Sequence, residues 1–404
     1  MPDARTANGP LGRVGLAFLI NGIASSVWIV RTPRLAERLG TTPGRLGLLF
    51  AIGAIGGVVG SRIAPRTIRG RAPARVMALS GFTVGVVLIL RGVPTSIGAF
   101  ALVQAFAGVT DGIHDVSMNA EGVRIDAVGR RSIMNRLHGV WSVGALLGGV
   151  IGVGLASTGI GFDTHMYIAG GVLVLANVPM LGAFGDHFVV PEPVRRVPGH
   201  GRVSSTIVVL CVVGIAVALT EGAPNDWGSI YLRDHLHTGE GVAGLTTVAF
   251  AGAMVVCRFA GDHAVERFGA MRVLRAGAVA AAFGLVLGLG VDQPWSIICG
   301  WAFVGAGVAT AFPALFVAGA RLPGVAPEVG MGILTSVARV GFLLGPLAIG
   351  RLVDARGIRV ALLVPLAASI VVAVGTGRLS SLDRDSARRD EPPGPQAGSP
   401  TISM

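Results

Sequence analysis

Between Gln104 and Gly149 the chain sets ionisable side chains inside stretches otherwise apolar enough for lipid. Read as a helix, Gln104, Gly108, Asp111, Asp115, Met118 and Gly122 recur at steps of three and four, and so share one face. Asp111 and Asp115 then lie one turn apart, about 6 Å at roughly 1.5 Å of rise per residue. A carboxylate pair is costly in hydrocarbon and persists only against a wet cavity or a partner. Where water reaches it, such a carboxylate can take up and release a proton. Asp111 and Asp115 are therefore the first candidates for proton coupling, with Asp111, nearer the bilayer centre, preferred. Neutralisation by Arg339, or a hydrogen bond to His114, is the structural alternative. His114 and His138 are candidates for the same relay, because imidazole titrates in the physiological range. A bond from His138 to Asn119 or Asn135 is its plainer role, and no further ligand spacing supports a metal site.

Other polar groups fall inside apolar runs. Arg339 sits mid-run with no acid nearby in sequence, so it needs a carboxylate across the bundle (Asp111, Asp115 or Glu221) or an anionic solute. Glu221-Gly-Ala-Pro224-Asn225-Asp226-Trp227 carries Gly and Pro that should interrupt a helix and expose backbone to a cavity. Glu221 and Asn225, one turn apart, would then face solute. The alternative is an ordinary helix end, with Asp226 in water and Trp227 in the interfacial aromatic belt, where Trp227 is expected. Asn21, with Ser25 a turn later, and Asn119 complete the expected solute-binding set with Glu221, Asn225 and Arg339. Charges between runs, Arg62, Arg258, Asp262 and Arg267, are candidates for a gate that locks one conformation. Asp262 with a neighbouring arginine is the preferred pair, while Arg71 is read as a topology determinant.

These groups need a container, and composition says which kind. Of 404 residues 52% are hydrophobic and 14% charged, with mean hydropathy +0.70; a soluble chain carries about 25% charge. The chain is expected to be an all-α integral membrane protein. Its 62 glycines and 6% aromatics suit helices packed through small residues rather than a barrel with aromatic girdles. The net charge of +11 comes without a single lysine. Schiff-base chemistry and lysine-dependent phosphate loops are thereby excluded. The arginines lie mainly in short loops, which fits membrane topology and argues against a nucleic-acid partner. Cys211, Cys257 and Cys299 stand apart in apolar runs as packing residues, and no cofactor is expected. The first apolar run lacks a cleavage signature, so it is expected to be retained.

Twelve runs can cross about 30 Å of hydrocarbon: six from 11–30 to 166–184 and six from 206–220 to 360–376. The expected organisation is a six-helix bundle over 1–190, a cytoplasmic linker at 191–205 rich in Pro and Arg, a second bundle over 206–378 and a disordered tail at 379–404. With both termini cytoplasmic, inside segments collect about 23 arginines and outside loops about 9, as the positive-inside rule requires. One outside loop, with Arg31, Arg34, Arg38 and Arg45, runs against the rule. The halves also echo one another. Arg62 and Arg71 align with Arg258 and Arg267, and Gly144-Ala-Leu-Leu-Gly148 aligns with Gly341-Phe-Leu-Leu-Gly345, at nearly one offset. That pattern points to a parallel internal repeat. The Gly53/Gly57, Gly56/Gly60 and Gly144/Gly148 pairs are assigned to close helix packing.

With these features in place, the chain resembles the major facilitator superfamily over nearly its whole length. Arg258-Phe-Ala-Gly261-Asp262-His-Ala-Val-Glu266-Arg267-Phe268-Gly269 is similar to the superfamily's signature between the second and third helix of a half. The first half departs from it, with Arg66 where the second has Asp262. Asp111-Gly-Ile-His-Asp115-Val-Ser-Met-Asn119 and Glu221-Gly-Ala-Pro-Asn-Asp226-Trp227 look like the bacterial branch related to fucose permeases. The resemblance implies a secondary active transporter working by alternating access. It further implies proton-coupled symport of a small polar solute such as a sugar or sugar-like metabolite, in the bacterial inner membrane. A proton-antiport exporter of drugs or metabolites is the alternative. A membrane enzyme is not expected, since His138 and Ser142 have no third group. The expected partners are lipid, protons and solute, and the expected assembly is a monomer.

Overall fold

The computed structural model describes residues 4–68, 73–129, 134–181, 205–320, 322, 325 and 327–389. Twelve helices there are long and apolar enough to cross a membrane. We label them α1 (Ala4–Ser26), α2 (Pro43–Ile68), α3 (Pro73–Arg91), α4 (Ile97–Gly129), α5 (Met134–Ser157), α6 (Phe162–Leu181), α7 (Ser205–Ile230), α8 (Glu240–Phe268), α9 (Ala270–Val291), α10 (Pro294–Val308), α11 (Pro327–Arg356) and α12 (Leu363–Arg389). The tenth span continues past α10 as Ala311–Ala320, and α7 continues through a π-helical turn at Tyr231–His235. A short amphipathic helix, Thr32–Leu39, follows α1 and ends at Gly40 in the left-handed conformation, φ +55°.

Local chemistry sets the ends. Proline occupies the first position of α2, α3, α10 and α11, where its missing N–H breaks no helical bond. Gln293 and Ser296 cap α10 reciprocally. Pro224 does not break α7, contrary to the expected interruption: the helix runs unbroken through it to Ile230. The linker at 191–205 lies outside the described residues except for Ser205, and α12 runs on to Arg389, past the expected start of the tail.

Helix pairing repeats between the halves. In the first, α2 packs on α4, α1 on α5 and α3 on α4 and α6; in the second, α8 packs on α10, α7 on α11 and α9 on α10 and α12. The halves meet along α2 with α11 and α5 with α8, again equivalent positions. Small residues permit these crossings: a methyl at Gly108 would collide with the carbonyl oxygen of Gly53, and one at Gly144 with that of Leu19. The apolar residues left exposed, such as Leu102 (75%) and Leu175 (70%), are the surface that lipid would cover.

Candidate functional site

The α1, α2, α3 and α4 crossings leave a cavity of about 320 Å³, closed on one side by Asn225 and Asp226 of α7. Asn21 and Ser25 line it from α1, and Trp28 and Thr32 from the turn beyond; Gly53 and Gly57 line it from α2, Arg91 from α3, and Gln104, Gly108 and Asp111 from α4. The face predicted for α4 is therefore the face that meets the cavity. Glycine at 53, 57 and 108 brings α2 against α4, which leaves Gln104 and Asp111 as the long side chains there.

Asp111 is fixed by a relay of hydrogen bonds. Trp141 Nε1 donates to Asn21 Oδ1 at 2.7 Å, and Asn21 Nδ2 donates to Asp111 Oδ1 at 3.1 Å. The indole thus orients the amide, and the amide orients the carboxylate toward the cavity. Arg91 lies within electrostatic reach of Asp111, with its guanidinium carbon 4.1 Å from the Trp28 ring centroid. That stacking holds the cation at the end of α3 with no ion pair among the described residues.

The other expected residues divide. Asp115 does not line the cavity; it accepts a 3.0 Å bond from Asn119 of its own helix and lies within electrostatic reach of Arg339. Arg339 reaches across from α11 to donate to the Ser61 hydroxyl on α2, and no carboxylate lies within ion-pair distance of it among the described residues. Glu221 lies within electrostatic reach of Arg258, whose guanidinium crosses from α8 to the Ser142 hydroxyl of α5 and to the Ala309 carbonyl. Each seam between the halves thus carries one arginine of the second half bonded to one serine of the first. His114 is buried against α3, with Nδ1 3.0 Å from Ser80 Oγ and 3.1 Å from Met77 O, off the cavity. His138 is exposed at the edge of the Phe18 ring; Asn119 bonds Asp115 instead, and the Asn135 side chain lies outside the described residues. Of the expected solute-binding set, Asn21 and Asn225 line the cavity, while Asn119, Glu221 and Arg339 do not. Trp227 is fully buried rather than interfacial, because α7 turns that face onto the bundle interior.

Among the expected gate residues, Arg62 and Arg267 are exposed, Arg267 over the Phe268 ring, and the Asp262 side chain lies outside the described residues. The ionic contacts that cross between halves lie at the opposite end. Arg31, with a side chain only 1% exposed, pairs with Glu240 at 3.2 Å; Arg34 lies 3.8 Å from Glu240, and Arg233 pairs with Glu37. Asp354 accepts from the Gly44 amide at 2.9 Å and the Thr42 hydroxyl at 3.0 Å. Arg38 bonds the Gly92 and Pro94 carbonyls. Three of the four arginines that defied the charge rule are thus committed to structure. Arg91 and Trp141 were not singled out from sequence, and Asp226, expected in water at an ordinary helix end, lines the cavity instead.

The profile of the Major Facilitator Superfamily matches residues 210–403. An uncharacterized transporter of Sinorhizobium fredii, y4wD, is 27% identical over 90% of this chain and 97% of its own length. An uncharacterized MFS-type transporter of Yersinia pestis is 28% identical over 86% and 89%, and the membrane protein MosC of Rhizobium meliloti is 25% identical over 89% and 88%. Among solved structures, a mutant form of the nucleoside transporter NupG superposes with a TM-score of 0.74 at 13% identity, over 92% of this chain and 99% of that one. A bacterial homologue of the lysosomal transporter Spinster, inward-facing and unoccupied, superposes with a TM-score of 0.70 at 14% identity, over 95% and 98%.

Proposed function

We propose, on the premise that this chain is a multi-pass membrane transporter of the major facilitator type, that it moves a small polar solute by alternating access in symport with protons. The observation that carries this is the cavity, in which carboxylates on α4 and α7, one from each half, share a space away from lipid. At about 30 Å³ per water, 320 Å³ holds roughly ten waters, or one solute the size of a hexose. The wall is mixed: amide and carboxylate groups supply hydrogen bonds, while Trp28 and Phe50 supply apolar surface.

In this reading Asp111 carries the proton. Held by Asn21 and facing both solute and water, it exchanges a proton with whichever side the cavity opens to. The contacts of Arg31, Arg34 and Arg233 across the halves close one face, and rocking of one half against the other exposes the opposite one. The solute is a sugar or sugar-like metabolite, as in the fucose-permease branch the motifs resemble. The protein sits in the bacterial inner membrane with its termini cytoplasmic, which makes the Glu240 face the outer one, and its two six-helix bundles move as the rocking bodies.

Proteoliposomes with an imposed pH gradient test the coupling. Asp111→Asn keeps the shape and the acceptor for Asn21 but cannot ionise, so proton-driven hexose uptake should fall at least about tenfold, with unchanged thermal stability. Undiminished uptake removes Asp111 as the carrier. Solute leaving the vesicle as protons enter replaces symport by antiport.

A further inference from the structure

The charges around the cavity do not balance, and the imbalance has a location. Three charged side chains line it: Arg91, Asp111 and Asp226. Arg91 and Asp111 lie within reach of one another's charge, and the guanidinium is further held over Trp28. Asp226 comes from the other half. It has no ion pair and no hydrogen bond among the described residues, and no charged neighbour within electrostatic reach. An ionised carboxylate left so is costly and calls for a cation.

The hydrogen-bonding inventory leans the same way. The Gln104 side chain, only 6% exposed, lines the cavity, and its Oε1 is buried without a partner. Asp111 uses one oxygen on Asn21 and leaves the other open. Both Asp226 oxygens are open. Unused donors on Arg91, Asn225, Gln104 and Trp28 stand beside these unused acceptors, so the complementary solute carries hydroxyl groups, which both donate and accept, as well as a cation for Asp226. An anionic solute would meet two carboxylates and one arginine that already faces Asp111.

We propose that Asp226 is the recognition group for a cationic amine, so that the solute of this cavity is a small polyhydroxylated amine of about a dozen heavy atoms. This rests on the transport reading above and narrows its substrate class. The amine docks on Asp226, its hydroxyls on Gln104 and Asp111, and Asn225 and Arg91 donate to its remaining oxygens. Because Asn225 and Asp226 belong to the second half and Arg91, Gln104 and Asp111 to the first, the solute ties the two halves together.

The test is equilibrium binding to the purified full chain in detergent, with D-glucosamine, D-galactosamine and N-methylglucamine beside D-glucose and D-glucuronate. The amines should bind at least about tenfold more tightly than glucose, and glucuronate least. Asp226→Asn should bring the amine-to-glucose affinity ratio down to about one, and Asp226→Glu should retain part of the preference. The ligand-free melting temperature of each variant reports its folding, and the comparison within the parent protein needs no variant. Equal binding of amine and neutral sugar, an amine preference surviving in Asp226→Asn, or no amine bound below about 10 mM overturns the proposal. So does neutral-sugar binding whose pH dependence disappears in Asp226→Asn, which would make Asp226 a proton carrier instead. Binding in detergent involves no gradient, so failure of proton-driven uptake leaves this result standing, and the reverse also holds.

Discussion

Asp111 shows how one carboxylate acquires a setting that its neighbour a turn away does not. Both sit on the α4 face read from periodicity, yet only Asp111 receives a bond from another helix and opens on the cavity. Asp115 is satisfied within α4 by Asn119. The difference is made by Asn21, whose amide is held by the Trp141 indole. Asn21→Ala should therefore reduce uptake about tenfold, from loss of roughly 1–2 kcal/mol of positioning. Trp141→Phe should reduce it less, and the double variant should match Asn21→Ala alone, because the indole acts through the amide. Additive losses in that cycle would show that Trp141 meets the solute directly. The spacing of 104, 108 and 111 was enough to place Gln104 beside Asp111. Nothing local marked Arg91, because an arginine at a helix end reads the same in water as over a tryptophan.

At the scale of elements, helix ends carry the polar chemistry that spans cannot. Asp292 lies between α9 and α10 with φ +56°, where it joins three elements. Partial burial works to raise its carboxyl, but hydrogen bonds from the Tyr231 hydroxyl (2.6 Å) and His235 (3.3 Å), with Arg359 nearby, outweigh it and hold the group below the ordinary carboxylate range. A lowered value in the folded state means stability that is present above the unfolded pKa of about 4 and is lost as pH falls through the folded one. Asp292→Asn should thus lower the melting temperature by a few degrees at pH 7, and the gap to the parent should close on acidification below about pH 4. A gap independent of pH would assign the effect to turn geometry. The π-helical turn that delivers Tyr231 and His235 to this site has no sequence signal we can name, since it depends on where α9 and α10 already stand.

For the whole molecule, the two seams between the halves differ from end to end. Near Arg258 they are bridged by arginine on serine hydroxyls, whereas near Glu240 they are bridged by opposite charges, one of them the buried Arg31. Removing one member of a fully buried pair costs about 3–5 kcal/mol, and Glu240, 22% exposed, should lose a fraction of that. Glu240→Gln should therefore favour opening on that face. A cysteine at Ser25 in the cavity should then react with an impermeant maleimide from the Glu240 side at least about fivefold faster than in the parent. Equal rates would show that these contacts decorate the face without locking it. The solved neighbours share the architecture, and at 13–14% identity they speak to fold alone.

Sequence by itself determined the class and layout: twelve apolar runs, two echoing halves, an acid-bearing fourth helix and close glycine crossings. Those properties are one-dimensional, because hydropathy, spacing and composition are summed along a chain. Only the tertiary structure decided which polar groups meet. It took Trp227 into the core, turned Asp226 from expected water to the cavity, moved Glu221 and Arg339 to the seams, and put the ionic contacts on the face whose arginines had looked misplaced. Each of those outcomes depends on helix rotation and on contacts across more than a hundred residues, which no local pattern encodes.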